Sequence, residues 1–285
     1  MTKFWIMMTR LLTAGFSVAV MLAVHGGCDQ ASVLGTASRP SVVSKVSISV
    51  AAASDLKYVL DEVITEFQEL HPHIVVKATF GSSGNFYTQI SNDAPFDIFL
   101  SADTSYPQKL IEQGVAIPES LFVYAIGRIV LWVRQDSALN VEREGIASLR
   151  NPNIKKIAIA NPMHAPYGRA AEAALHHFDV YEDLKDRLVL GENVTQAAQF
   201  VETEAADVGI IAVSLAIAVP LRDKGRQWPF PTDSYPTLEQ GGVILSATQE
   251  RSACDSFCAY MRSERGREVF KRYAFALPGE SKLRP

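Results

Sequence analysis

Four short segments of the chain combine residue types that could bind a small anion through neutral groups, with no need for a positively charged side chain. They have the sequences AAASD (51–55), GSSGN (81–85), APYG (165–168) and GENVTQ (191–196). Each follows an apolar run typical of a β-strand and precedes a run typical of a helix. A helix N-terminus presents backbone N–H groups without intrahelical acceptors, together with a partial positive charge. These four strand-to-helix turns are therefore candidates for binding an oxyanion through neutral donors.

Side chains in the four turns add hydroxyl donors and backbone freedom. The hydroxyl groups belong to Ser54, Ser82, Ser83 and Tyr167. Gly81 and Gly84 would let the backbone approach an oxyanion closely, because glycine has no Cβ atom. Asp55 is the exception, since its carboxylate would repel an anion. We expect Asp55 to contribute its backbone N–H group while its side chain turns away.

Each of these features taken alone has an ordinary structural explanation. Ser54 is a good N-cap for a helix, and GSSG is a common turn sequence. Tyr167 and Val194 are residue types that usually serve in packing. Only the repetition of one strand-to-helix arrangement at four places favours a binding site, and the pattern by itself leaves both interpretations open.

Residues that could catalyse a reaction do not form a recognisable arrangement. Ser82 and Ser83 lack the Gly-x-Ser-x-Gly context of a hydrolase nucleophile. The histidines show no HExxH or similar spacing, and Cys254 and Cys258 stand four apart on a predicted helix without further ligands. We therefore predict no catalytic residue, no directly bound metal and no cofactor, and we favour a binding protein over an enzyme.

The elements that must position the four turns are predicted to form two α/β units. Runs typical of strands are followed by amphipathic helices three times between 45 and 121, and the same succession resumes after 153. This rhythm predicts parallel sheets with helices on both faces. Ligands bind beyond the carboxyl ends of the strands in such sheets, which is where the four turns stand.

Two strand-like segments, 122–133 and 241–248, stand where the chain could pass between the units. We therefore predict an α/β protein with two lobes around a hinged cleft. Lobe 1 is expected to comprise 45–126 and 239–285, and lobe 2 to comprise 127–238. Each lobe would contain a mainly parallel sheet flanked by helices, and two crossover strands would join the lobes. Such an architecture is suited to capturing a ligand by closure.

The first residues are predicted to direct secretion. Lys3 and Arg10 accompany an apolar run at 11–24. This run is too short to cross a bilayer comfortably, and it has the position of the apolar core of a signal peptide. We assign 1–28 as the signal peptide.

Two processing routes stay open for this N-terminal region. Cleavage could follow the GTA sequence at 35–37, or it could occur before Cys28 and leave that cysteine as a lipid-anchored N-terminus. Residues 29–44, which are rich in Ser, Ala and Val, are predicted to be a tether. Either route places the protein in the periplasm or on the exterior of the cell envelope.

The charge of the chain restricts its partners. The 285 residues are 48% apolar and carry a formal charge of −4, which becomes −6 once 1–28 are removed with their two basic residues. This negative balance argues against nucleic acid or an anionic membrane surface as a partner. A local site that is positive can still exist in a negative protein.

Six segments in this order resemble the periplasmic molybdate-binding (ModA) family of ABC transporters. The segments are VAAASDL, GSSGNFYTQI, APFDIFLSAD, YAIGRIVLWV, NPMHAPYGRAA and ADVGIIAVS, and the resemblance extends from about 46 to 275. It implies a class II solute-binding protein fold with two lobes. It also implies that a molybdate or tungstate dianion is held between the lobes and delivered to an ABC permease.

The resemblance further implies which residues hold the anion through its oxygen atoms. The hydroxyl and backbone N–H donors of the family fall here on Ser54, Asp55, Ser83, Tyr167 and Val194, the last two as N–H donors. Two positions depart from the family. Many members have a tyrosine hydroxyl donor where this chain has Ala212. One branch of the family similarly lacks this tyrosine, and this chain most resembles that branch. Where this chain has Asp55, that branch can have a neutral side chain with a donor.

The principal hypothesis is therefore a monomeric receptor that binds molybdate, with tungstate as a second ligand. One alternative is a receptor for another oxyanion or for a small organic acid. An organic carboxylate would usually recruit an arginine, and among residues near the turns only Arg169 could serve. A secreted enzyme on the same scaffold is the remaining alternative.

Overall fold

The structure of the protein, a computed structural model, describes residues 45–279. The predicted signal peptide, the tether and Cys28 lie outside the described residues. The described part of the chain contains two five-stranded sheets with helices packed on them. The predicted α/β class with two lobes is confirmed.

The strands are β1 (Val46–Ala53), β2 (Ile74–Gly81), β3 (Ile98–Ser101), β4 (Phe122–Gly127), β5 (Ile129–Arg134), β6 (Ile157–Ala160), β7 (Leu188–Gly191), β8 (Val208–Ala212), β9 (Gly225–Pro229) and β10 (Leu238–Ile244). The helices are α1 (Lys57–Leu70), α2 (Ser83–Ile90), α3 (Ser105–Glu112), α4 (Val141–Glu144), α5 (Pro166–His177), α6 (Tyr181–Leu184), α7 (Val194–Glu202), α8 (Val213–Ala216), α9 (Val219–Arg222), α10 (Arg251–Arg262) and α11 (Glu264–Arg272). Short 3-10 turns supplement them, and one of these, Ser54–Leu56, leads directly into α1.

The two sheets have the same arrangement. Lobe 1 contains the sheet with strand order β2-β1-β3-β10-β4, and lobe 2 contains the sheet with order β7-β6-β8-β5-β9. In each sheet one strand, β10 or β5, runs antiparallel to both of its neighbours. That strand is the one that enters from the other lobe, so each lobe completes its sheet with a strand that follows a crossing between lobes.

The crossings differ in detail from the sequence prediction. The first is a single residue, Arg128, between β4 and β5, and the second is the segment 230–237 between β9 and β10. The predicted strand at 241–248 was wrong in its limits, since β10 begins at Leu238 and ends at Ile244. The edge strand β9 was not predicted. Its sequence, GRQWP, lacks the alternation and the residue types of a strand. It forms a strand because it pairs with β5.

Each lobe has its own apolar core. In lobe 1, α1 buries Val59, Leu60, Val63 and Phe67 at helical spacing, and Phe67 meets Phe257 of α10 edge to face with ring centroids 5.1 Å apart. In lobe 2, β6 and β8 are buried along their whole length, as expected for strands covered on both faces. Cys254 and Cys258 are free, buried thiols of the lobe 1 core. Of the helices in the described residues, none is long and apolar enough to cross a membrane.

Helix α5 packs so closely on the end of β6 that only glycine fits at one position. A Cβ atom at Gly168 would overlap the carbonyl oxygen of Ala160 and the backbone of Asn161. These contacts are with backbone, which cannot turn aside as a side chain can. Gly168 therefore fixes the depth at which the N-terminus of α5 is seated.

We predict that Gly168→Ala destabilises the protein although alanine favours helices. The gain in helix propensity is about 1 kcal/mol, and the overlap forces α5 away from β6 at a cost typical of overpacked cores, about 1–3 kcal/mol or more. Denaturant unfolding should therefore show a net loss of stability. His177→Ala, at the exposed end of the same helix, serves as the control and should change stability by less than about 0.5 kcal/mol. A variant as stable as the wild type would contradict the prediction.

Candidate functional site

A small cavity lies between the lobes, where the carboxyl ends of their parallel strands face each other. The space free of protein atoms is about 190 Å³ when the solvent at its mouth is included. Its lining is formed by Ala53, Ser54, Asp55, Gly81, Ser82, Ser83, Ala102, Ala165, Pro166, Tyr167, Asn193 and Val194. All four strand-to-helix turns contribute to this lining, as do all five residues named from the sequence. The lining contains no lysine or arginine.

The first turn brings Ser54 to the cavity directly before α1. Ser54 is 4% exposed, and its side chain makes no capping hydrogen bond to the helix that comes after it. The simple N-cap explanation for Ser54 is therefore wrong. Its backbone carbonyl accepts a hydrogen bond of 2.9 Å from the Thr195 hydroxyl of lobe 2. The Ser54 hydroxyl is thus left available to a ligand at the point where the lobes meet.

The second turn divides its two serines between different tasks. Ser82 is the N-cap of α2, because its hydroxyl accepts a hydrogen bond from the backbone N–H of Asn85 at 3.3 Å. The hydroxyl of Ser83, which is 1% exposed, accepts a hydrogen bond of 3.0 Å from the N–H of Ala102. Since that bond occupies a lone pair of the oxygen, the hydrogen of the Ser83 hydroxyl remains free to donate into the cavity.

The third turn offers a backbone donor at the start of α5. Pro166 occupies the first position of this helix and has no N–H group. The first available donor is therefore the N–H of Tyr167, at a position where a helix has no internal acceptor. The Tyr167 hydroxyl turns away from this role and donates to Asp55 Oδ2 at 2.9 Å. The sequence offered two donors at Tyr167, the hydroxyl and the backbone N–H group. In the structure only the N–H group remains available to a ligand.

The fourth turn has the same design. Asn193 is the N-cap of α7, and its side-chain oxygen accepts a hydrogen bond from the N–H of Gln196 at 3.1 Å. Val194 is the first residue of the helix, so its N–H group has no acceptor within the helix. Its side chain is 3% exposed and belongs to the lobe 2 core. Val194 thus serves in packing through its side chain and faces the cavity from a helix N-terminus.

Asp55 lies in a buried polar cluster that sequence analysis only partly anticipated. Its Oδ2 accepts hydrogen bonds from the Tyr167 hydroxyl at 2.9 Å and from Gln240 Nε2 at 2.5 Å, and neither contact was predicted from the sequence. Burial raises the pKa of the Asp55 carboxyl to about 6, against the lowering effect of the bonds from Gln240 and Tyr167. Burial likewise raises the pKa of the Tyr167 hydroxyl well above 10, so this hydroxyl remains a donor.

Gln240 is the site residue that sequence analysis missed. It is fully buried in β10, where the pairing with β4 shifts by a bulge between Gln240 and Gly241. The strand was predicted to begin at 241, which excluded this residue. The alternation of a strand places Gln240 on the same face as the buried Leu238, and a polar residue at such a position is the signal that could have identified it.

Further hydrogen bonds close the cleft around the cavity. The N–H of Gly84 donates to the carbonyl of His164 at 2.9 Å, and the His164 ring lies 2.9 Å from the Ser82 hydroxyl. Arg169 pairs with Asp103 at 2.5 Å and donates to the Tyr106 hydroxyl at 3.1 Å. The lobes are therefore in contact on several sides of the cavity, as in a closed cleft.

Ala212 ends β8, and it is not among the described residues that line the cavity. Within 45–279, no group of three or more histidine, cysteine, aspartate or glutamate side chains is placed to bind a metal ion. The hydroxyl and backbone N–H groups that line the cavity are donors of the kind that bind an anion.

Comparisons with known proteins agree with this geometry. The family model for bacterial extracellular solute-binding proteins matches residues 48–276. The molybdate-binding protein ModA of Rhodobacter capsulatus is 36% identical over 250 residues, which cover 88% of this chain and 95% of that protein. ModA of Azotobacter vinelandii is 34% identical, over 86% of this chain and 95% of that protein.

A solved structure gives the same result. The Azotobacter vinelandii periplasmic molybdate-binding protein superposes with a TM-score of 0.76 at 33% identity, covering 81% of this chain and 99% of that chain. The agreement extends over nearly the whole described part of the chain. The chain therefore belongs to the family of bacterial extracellular solute-binding proteins, in the group that contains these ModA proteins.

Proposed function

We propose that this chain is the receptor of an ABC transporter and captures molybdate between its two lobes. The observation that carries the proposal is the meeting of four strand-to-helix turns around one cavity lined without lysine or arginine. The names of the relatives at 34–36% identity support the choice of molybdate. A receptor of this kind holds its ligand unchanged, so the protein is not an enzyme.

The proposed donors to the anion come from both lobes. Lobe 1 supplies the hydroxyl groups of Ser54 and Ser83 and the N–H group of Asp55. Lobe 2 supplies the N–H groups of Tyr167 and Val194. Each donor would contact an oxygen of the anion, and no residue would ligate the metal atom. Only the closed cleft brings the two sets together, so ligand binding favours closure.

Selection among oxyanions would depend on size. Molybdate and tungstate have longer bonds to oxygen than sulfate, so a ring of donors that fits them leaves gaps around the smaller anion. Each donor left unfilled in a closed cleft costs about 1–3 kcal/mol. We therefore propose that the site binds tungstate as well as molybdate and excludes sulfate.

The arginine that a small organic acid would need is engaged elsewhere. Arg169 pairs with Asp103 and Tyr106 across the cleft, and it lines a neighbouring cavity together with Asp103. The site itself offers only neutral donors. This arrangement favours an inorganic oxyanion over an organic carboxylate.

The export, anchoring and docking of the protein also belong to the proposed function. We propose secretion by the signal peptide at 1–28, a tether at 29–44, and a monomer that docks in its closed form on a permease. Lobe 1 would comprise 45–126 and 239–285, and lobe 2 would comprise 127–238. Lipid attachment at Cys28 is the alternative to release into the periplasm.

Thermal melting with different anions tests the proposal directly. Molybdate or tungstate at a thousandfold excess over its dissociation constant should add about 4 kcal/mol to the free energy of unfolding. Sulfate and phosphate at the same concentration should produce little change. A stabilisation by phosphate or an organic acid, with none by molybdate or tungstate, would overturn the proposed ligand.

The role of Ser83 can be separated from its structural setting. Ser83→Ala removes the free hydroxyl donor, and it should weaken molybdate binding by about 1–3 kcal/mol, or roughly 5- to 150-fold, in calorimetric titrations. The variant also leaves the N–H of Ala102 without its acceptor, so a loss of stability is expected beside the loss of affinity.

Ser49→Ala provides the matched control for this loss of stability. The Ser49 hydroxyl bonds to Pro95 and Asp97 within lobe 1, away from the cavity. The control should therefore lose stability and keep its affinity for molybdate. Equal affinities in Ser83→Ala and the wild type would mean that GSSG is only a turn.

The contact between Arg169 and Asp103 should act on the lifetime of the closed form. The pair joins the lobes outside the cavity, and its side chains are 38% and 29% exposed, which limits its contribution to about 1 kcal/mol. We predict that Arg169→Ala raises the dissociation rate of molybdate by about 3- to 10-fold in stopped-flow measurements, with a smaller effect on association. Arg251→Ala, which breaks an ion pair within α10, should leave both rates unchanged. Unchanged dissociation in Arg169→Ala would show that the pair does not hold the cleft closed.

A further inference from the structure

The carboxyl group of Asp55 lies in an unusual position for a site that takes an anion. Asp55 lines the cavity, is 1% exposed and is the only carboxylate among the residues of the lining. A dianion in the cavity and a charged Asp55 would be like charges within the same closed space. A cation or a proton would relieve the unfavourable energy of such a pair most directly.

No cation serves this purpose in the described part of the chain. The groups that act on the carboxyl are its own backbone, the Gln240 amide and the Tyr167 hydroxyl, all of which are neutral. Tyr124 of β4 also faces Asp55, but burial raises the pKa of its hydroxyl well above 10, so it too remains neutral. Ser214 of α8 donates to the Asp55 carbonyl and not to its side chain. None of these groups carries a positive charge that could neutralise an ionised Asp55.

The hydrogen bonds of Asp55 are also unequally distributed between its two oxygens. Oδ2 accepts from Tyr167 and from Gln240, whereas Oδ1 is buried without a partner. The Oε1 atom of Gln240 is a second buried acceptor without a partner in the same cluster. A buried ionised oxygen that accepts no hydrogen bond is costly. A proton on Oδ1 would remove the charge and turn an acceptor in the lining into a donor.

We propose that Asp55 is protonated when the cleft closes on its dianion, so that the capture of one molybdate takes up one proton from solution. This inference rests on the proposed function and assigns a second, smaller ligand to the same site. The anion stays fully ionised, and the proton comes from water or buffer. Asp55 then contributes its backbone N–H to the anion without an opposing charge behind it.

The direction of the pH dependence is set by this coupling. Burial already raises the pKa of Asp55 to about 6, and the dianion would raise it further. Below the pKa of the free, open protein, which lies under the value of the closed cleft because water reaches the carboxyl there, the group is protonated in both the free and the bound protein, so affinity is independent of pH. Above that value, up to the pKa of the bound state, affinity should fall by about tenfold for each unit of pH.

Calorimetric titration of the protein with sodium molybdate tests the proposal. Repeating the titration at pH 7.5 in two buffers of different ionisation enthalpy should give an uptake of about one proton per molybdate. The dissociation constant should rise roughly 100-fold between pH 6 and pH 8. A flat profile with no proton uptake in the wild type would overturn the proposal, whatever the variants do.

Asp55→Asn identifies the group that takes up the proton. The amide has nearly the same shape and cannot titrate, so proton uptake should disappear and the pH profile should become flat. Any dependence that arises from the anion itself would remain in this variant. Asp255→Asn, which changes a carboxylate of α10 that pairs with Arg251 away from the cavity, should retain the uptake of one proton. Uptake that persists in Asp55→Asn would assign the proton to another group and contradict the proposal.

The same titrations separate this inference from the proposed function. Failure of molybdate to bind at every pH between 6 and 8 would reject the receptor for molybdate. Tight binding that is independent of pH would leave the receptor intact and reject only the proton. A carboxylic acid band in the infrared spectrum, present with molybdate in the wild type and absent in Asp55→Asn, would support the proposal independently.

Discussion

A dianion that leaves water for a closed cleft must recover its lost hydration from the protein. In the proposed site this task falls on aligned N–H and O–H dipoles and not on positively charged side chains. Each helix N-terminus contributes only about half a unit of charge, so one helix would not suffice. Four such termini must therefore be held within a few ångströms of one another. This requirement accounts for the main features of the fold.

The sheets meet the requirement because the ends of parallel strands lie at one edge, and each lobe presents that edge to the other. The strands β5 and β10 make the arrangement reciprocal, since each comes after a crossing and completes the sheet of the lobe that it enters. The short crossing at Arg128 keeps the two edges close together. Gly168 then sets the depth of one helix against its strand, because no Cβ atom fits beside the carbonyl of Ala160. The position of a donor thus depends on packing several residues away from it.

Features that obey local rules could be predicted from the sequence, whereas features that depend on contacts between distant segments could not. The four turns could be found because strands, caps and glycines leave short-range patterns, as at GSSG and APYG. The division of work between Ser82 and Ser83 was partly foreseen, but the bond from Ala102 to Ser83, which leaves its hydroxyl free to donate, spans 19 residues. Gln240 was missed because the strand was predicted to begin at 241, and its contact with Asp55 joins residues 185 positions apart. The edge strand β9 was missed because its pairing with β5, and not its composition, makes it a strand.

The buried cluster of Asp55, Tyr167 and Gln240 affects the free energy of closing the cleft differently in an empty and a loaded receptor. Tyr167 of lobe 2 contacts Asp55 of lobe 1 across the closed cleft, so closure of an open cleft would remove water from the carboxylate. The rise of its pKa from 3.8 to about 6 corresponds to about 3 kcal/mol against the charged form at pH 7 or above. An empty cleft must bear this energy when it closes, whereas in a loaded cleft the contacts between the anion and the donors at the helix N-termini offset the cost of burying or protonating the carboxyl. If the permease recognises the closed form, the buried carboxylate disfavours delivery of an empty receptor, and the donors at the helix N-termini favour delivery of a full one.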